Sequence, residues 1–216
     1  MCFSATASFA MSGVLAIIGI AAYRLVHHKS QRMLSLIPIF FALQQAAEGI
    51  VWLTIGRPSL QVLQYPAAYV FLFFAFITWP LWIPLSLHVF YHRIKNIRSS
   101  LLVIWGCMVS TFFGYYLFTT PFALLIEHRH IVYNFDYTQH YGVLSSIAYL
   151  MATFLPFLIA PRRVAQFFGI LVILSYAIAY LLYHYAVVSV WCFFAAGLSV
   201  LLCLMIWQDN REKSRA

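Results

Sequence analysis

Long apolar runs alternate with short polar stretches along the whole chain. Seven of these runs are about 20 residues long: residues 5–26, 33–55, 67–91, 99–119, 142–160, 164–184 and 186–207. Each is long enough to cross a hydrocarbon core of roughly 30 Å as a helix rising about 1.5 Å per residue. The short alternating strands that a membrane barrel needs do not occur in the pattern. The expected fold class is therefore an all-α membrane protein, a seven-transmembrane-helix bundle. Residues 1–207 would form its single domain and residues 208–216 a basic cytoplasmic tail. The longest connection is the loop at residues 120–140.

Composition supports this reading and charge orients it. Of 216 residues, 64% are hydrophobic and 8% charged, with a net charge of +8. The mean hydropathy of +0.88 excludes an ordinary soluble domain. The positive residues gather at alternate run ends: Arg24, Lys29 and Arg32, then Arg93, Lys95 and Arg98, then Arg162 and Arg163, then Arg211, Lys213 and Arg215. Only Arg57 and Arg129 lie on the other side. The positive-inside bias thus puts the C-terminus in the cytoplasm and the N-terminus and the 120–140 loop outside. The basic excess is a topology signal, so the expected partner is the lipid bilayer and not nucleic acid. No Lys or Arg precedes the first run, so it reads as a retained N-out anchor and not a signal peptide.

The stretch QQAAEGIVW, residues 44–52, places Glu48, one of only five acidic residues, within the second run. An acid inside a membrane is costly to insert and marks a pathway, a relay or a ligand contact. Gln44 and Gln45 sit one turn below it and Trp52 one turn above, so amides, carboxyl and indole share a side of the helix. By topology this is the outer half, where other polar groups collect: Ser145, Ser146, Tyr149 and Thr153 at helical spacing, Tyr176, Tyr180 and His184 four apart, and Ser189, Trp191 and Cys192 at the start of the last run. Interhelical packing alone accounts for a stripe of small polar residues such as Ser189, Cys192, Ser199 and Cys203. For Glu48, a functional role and a merely hydrogen-bonded structural glutamate are both open.

The outer loop adds His128, Arg129, His130, Asp136 and His140, groups that bind metals or carry protons near neutral pH. Candidate metal ligands are Glu48, His130, His140, His184, Cys2 and Cys192, in some subset. Cys2 and Cys192 share the outer side, where a disulfide, a redox pair, soft ligation or two unpaired thiols are all open. His88 and His92, one turn apart in HVFYH, lie at the cytoplasmic end and lack the glutamate of an H-E-x-x-H site. In TWPLWIP, Pro80 and Pro84 remove backbone donors and should bend the third run. The last run has no lysine for a retinal Schiff base.

MCFSATASF at the start, QQAAEGIVW and SVWCFFAA together resemble an uncharacterised family of bacterial integral-membrane proteins, over essentially the whole chain. The matching positions are Cys2, Phe3, Ser4, Glu48, Gly49, Trp52, Ser189, Trp191, Cys192 and Phe193. The resemblance implies one shared architecture in the bacterial inner membrane and brings no activity with it. More distantly, the layout is similar to seven-helix zinc hydrolases related to alkaline ceramidases, whose paired histidines on the last helix this chain lacks. The functional expectation is an outward-facing pocket centred on Glu48 and lined by Gln44, Gln45, Trp52, Tyr149, Tyr180, Ser189 and Trp191. It would take a small amphipathic or lipid-like ligand or a metal ion as cofactor. The alternatives are a metal-dependent hydrolase, with Glu48 and His184 catalytic, and a proton- or cation-coupled transporter.

Overall fold

A computed structural model describes residues 4–91, 97–128, 130–135, 138–183 and 186–214, with the backbone alone for residues 138–141, 183 and 213. Helix α1 (Ala5–Arg24) is capped by Ser4, whose hydroxyl accepts from the Ala7 N–H. A 3₁₀ turn (Lys29–Gln31) and the short α2 (Arg32–Ser35) lead into α3 (Ile37–Thr54), where Pro38 sits in the first turn and costs no hydrogen bond. A second 3₁₀ turn (Pro58–Leu60) opens α4 (Gln61–Leu72), which passes through a π-helical segment (Phe73–Thr78) into α5 (Trp79–Phe90). Then come α6 (Ile97–Thr119), α7 (Thr138–Leu158), α8 (Arg163–Tyr183), α9 (Val187–Leu198) and α10 (Leu201–Lys213).

Among the described residues, six helical stretches are long and apolar enough to cross a membrane: Ala5–Arg24, Lys29–Thr54, Pro58–Phe90, Ile97–Thr119, Arg163–Leu182 and Val187–Glu212. A shorter apolar helix covers Gly142–Leu158. The outward faces carry Ile17, Val62, Leu101, Val143 and Leu181, all more than half exposed. Such an exterior suits hydrocarbon better than water.

The chain is mostly helical, and one β-hairpin interrupts the helices. Strands β1 (Phe122–Glu127) and β2 (His130–Phe135) pair antiparallel, with Glu127 opposite His130 at the turn and Phe122 opposite Phe135 at the base. The expected outer loop is therefore largely a hairpin. Its strands are rich in Phe, Ile, Val and Tyr, which suit a pleated surface. His128 takes the left-handed backbone conformation (φ 49°) that a tight two-residue turn requires. Aromatic contacts hold it down: Tyr133 stacks on Phe71 of α4 at 5.1 Å between centroids, Phe135 meets Phe76 of the π segment at 5.6 Å, and Phe122 meets Tyr69 at 5.2 Å.

The proline bend is present in an unexpected form. Pro80 has no N–H to offer the carbonyls one turn upstream, and the helix there widens to π geometry. Side chains from other helices supply donors instead: the Tyr149 hydroxyl bonds the Ala75 carbonyl at 2.6 Å and Ser110 bonds that of Ile77 at 2.7 Å. Gly106 of α6 packs directly on the Pro80 carbonyl, a place with no room for a side chain.

The other end of the bundle is basic and tied by a polar clasp. Gln31 has no exposed surface; its carbonyl accepts the N–H groups of His27 and His28, and its amide donates to Asp209 and Asn210, each at 2.6 Å. Asn210 donates on to the Leu25 carbonyl, and Arg162 bridges Asp209 at 3.2 Å and Glu212 at 2.8 Å. The basic tail expected from residue 208 is thus continuous with α10 through Lys213.

Candidate functional site

Glu48 lies six residues before the end of α3, roughly 9 Å below the hairpin end of the bundle. It is fully buried, and its Oε1 accepts a hydrogen bond from the hydroxyl of Ser189 in the first turn of α9. One turn deeper, Gln44 joins the same pair of helices: its amide nitrogen donates to the Cys192 sulfur at 3.2 Å, and its oxygen accepts from the Trp79 indole at 2.8 Å. Trp79 in turn stacks on Phe41 at 3.9 Å. Two rungs, Glu48–Ser189 and Gln44–Cys192, therefore bolt α3 to α9 through buried polar contacts. The residue spacing produces them directly, since 44 and 48, and 189 and 192, are each one helical turn apart.

On the far side of α9 lies a cavity of about 190 Å³. Its walls are aromatic: Trp191 stands edge-on to Tyr149, Phe154 and Tyr176, with centroids 5.7–5.8 Å away. Tyr133 and Phe135 of the hairpin line its outer end, Ala75 and Phe76 of the π segment form one flank, and Ser145, Ser146 and Cys192 add the polar positions. The serine hydroxyls bond back to the Gly142 carbonyl, which keeps the lining mostly apolar. Cys192 belongs to both arrangements, with its sulfur bonded to Gln44 and its side chain on the cavity wall.

The expected site residues divide accordingly. Tyr149, Trp191 and Cys192 line the cavity, whereas Glu48, Gln44 and Ser189 stand behind its wall as buried support. Glu48 is thus beside the pocket and not among its lining residues. Tyr180 is 55% exposed and stacks on Tyr176 from outside the bundle. Gln45 and Trp52 face the α1 side, where the Gln45 amide and the Trp52 indole nitrogen are buried without a hydrogen-bond partner. His130 is buried in β2, and burial holds its imidazole below the ordinary histidine range.

Cys192 is a free thiol. Cys2 and His184 lie outside the described residues, and so does the side chain of His140. Among the described residues, no three His, Cys, Asp or Glu side chains come together as metal ligands. His88 sits at the basic end within 3.0 Å of the Ser99 hydroxyl, and His92 is outside the described residues.

Sequence reasoning missed Trp79, the Ala75 carbonyl and the hairpin roof. Pro80 was the available signal for the Ala75 carbonyl, because a missing donor in mid-helix implies carbonyls that must be served from elsewhere.

The model of a family of unknown function (DUF6629) matches residues 1–216. The chain belongs to this family. No curated protein and no solved structure matches it. Membership accounts for the resemblance carried by the N-terminal, α3 and α9 strings, and leaves the chemistry of the site to be argued from its geometry.

Proposed function

We propose that this chain is a seven-span bacterial inner-membrane protein that binds a small amphipathic or lipid-like molecule in the cavity beneath its hairpin. Six spans are supported by length and composition; the shorter apolar stretch Gly142–Leu158 of α7 would reach about 25 Å and complete the seventh. Arg24, Lys29, Arg32, Arg98, Arg162, Arg163 and Arg211 fall at the clasp end of the bundle and Arg57 at the hairpin end. By the positive-inside bias the clasp end is cytoplasmic, so the N-terminus and hairpin are outside.

The observation that carries the binding proposal is the aromatic cavity of about 190 Å³, roofed by a docked hairpin. Concave, mostly apolar sites with a few polar positions are the usual form of small-molecule pockets. Rigid aromatic walls bind acyl or isoprenoid groups at little entropic cost, and the two serines at the α7 end can meet a polar head. Glu48 serves this pocket indirectly by fixing α9, and with it Trp191 and Cys192, against α3. Binding of a small, largely apolar molecule is what these contacts favour.

Brominated fatty acid added to the purified full-length protein should quench part of the tryptophan emission in a saturable manner. Trp191→Phe removes that component, and Val188→Phe, which fills the cavity, abolishes saturation while the protein stays folded. Equal saturable quenching in both variants and the native chain would refute the pocket.

A further inference from the structure

A second polar region lies on the opposite side of Glu48 from the cavity, between α1 and α3. The cap Ser4 and, on α1, Ser8 and Ser12 recur every fourth residue, and the two on the helix form one stripe from the hairpin end inward. Two contacts fix how this stripe meets α3. The Ser12 hydroxyl donates to the Ala42 carbonyl at 2.8 Å, and the Phe9 ring covers Gly49 so closely that a Cβ there would approach it to 2.9 Å. In this antiparallel register Ser8 falls at the level of residues 45–49.

A stripe of serines alone is ordinary helix packing. What sets this seam apart is its unanswered polar atoms. Ser8 and Gln45 have no exposed surface, yet the Ser8 hydroxyl and both the oxygen and the nitrogen of the Gln45 amide have no hydrogen-bond partner, and neither does the buried indole nitrogen of Trp52. Four such atoms within about two turns of one helix pair are far outside what a dry interface tolerates, because buried polar groups are paired with protein or with ordered water. The set contains both donors and acceptors, which is what bridging water needs. Gln45 and Trp52 lie three residues before and four after Glu48, so the seam flanks the acid on both turns. At its outer limit Ser4 is exposed.

We propose that the α1–α3 seam is a water-filled entry from the hairpin end of the bundle, running past Ser8 to Gln45 and Trp52 and giving water and protons access to Glu48 by a route separate from the aromatic cavity. The seam and the cavity sit on opposite faces of the α3–α9 rungs, so a bound amphiphile leaves the water route open. The proposal does not depend on the cavity holding a ligand.

Thiol chemistry tests it, because a cysteine reacts with a methanethiosulfonate only as the solvated thiolate. Ser8→Cys in the full-length protein in nanodiscs should react with a small water-soluble methanethiosulfonate at least about tenfold faster than Ile17→Cys, a control on the outward apolar face of the same helix. The labelled peptide is identified by mass spectrometry, so the native cysteines can stay in place. Adding Gln45→Leu should slow the Ser8→Cys reaction, and adding Val188→Phe to fill the cavity should leave it unchanged. A Ser8→Cys rate no faster than that of Ile17→Cys would overturn the seam. A rate that falls with Val188→Phe would show water arriving through the cavity and would overturn the separate route. Should Gln45→Leu fail to fold, Trp52→Phe serves in its place, and an unchanged rate with both substitutions counts against the proposal.

Discussion

At Glu48 the physical question is how a carboxyl with no exposed surface is held inside an apolar bundle. A lone charge or polar group there would be expensive, and each hydrogen bond recovers part of that cost. Ser189 supplies one such bond from α9, and Gln44 repeats the device a turn deeper with Cys192 and Trp79. Removing the donor is worse than exchanging the carboxyl for an amide, because an unsatisfied buried acceptor costs about 1–3 kcal/mol. Ser189→Ala should therefore destabilise the protein by roughly 2 kcal/mol, whereas Glu48→Gln, which keeps an acceptor oxygen, should cost less. Thermal unfolding in detergent checks the order; a harmless Ser189→Ala would mean that the bond contributes nothing to holding α3 on α9.

Among the elements, the hairpin and the π segment decide the shape of the pocket, and they are what the sequence pattern conveyed least. The apolar runs give the helices because burial in hydrocarbon demands long unbroken stretches, and Glu48, Ser189, Cys192, Tyr149 and Trp191 could be placed at one end by counting residues along them. Phe122–Phe135 reads as a loop because its strands are short, its turn has no glycine or asparagine, and the docking partners of Tyr133 and Phe135, Phe71 and Phe76, are about sixty residues away in sequence. Residues 61–66 read as connection for a similar reason: Gln61, Gln64 and Pro66 dilute the apolar signal, yet α4 runs through them. The donors that serve carbonyls of the π segment come from Tyr149 and Ser110 on other helices, which no local pattern displays.

The hairpin also carries a pH dependence. Burial lowers the His130 pKa in the folded state, so the unfolded chain binds the proton more readily than the folded one. Its contribution to stability is intact above the unfolded histidine value of 6.5 and falls as pH drops below it toward the lower folded value. Melting temperature measured between about pH 8 and pH 5 should decline more steeply for the native chain than for His130→Asn. Parallel declines would mean that the imidazole is not held neutral in β2.

For the whole molecule, the two ends do different work. The clasp end joins the first and last helices through Gln31, Asn210, Asp209 and Arg162, contacts that close the bundle without leaving buried charge unanswered at Asp209. The hairpin end is aromatic, holds the cavity and, through the α3–α9 rungs, separates it from the α1–α3 seam. The proposed binding function rests on the cavity at the hairpin end. An experimental map of the full-length chain in lipid nanodiscs tests this most directly. The account predicts non-protein density beneath Tyr133 and Phe135, in contact with Tyr149, Tyr176 and Trp191. A hairpin collapsed into that space, with those side chains packed on one another and bound lipid only on the outer surface, would contradict it.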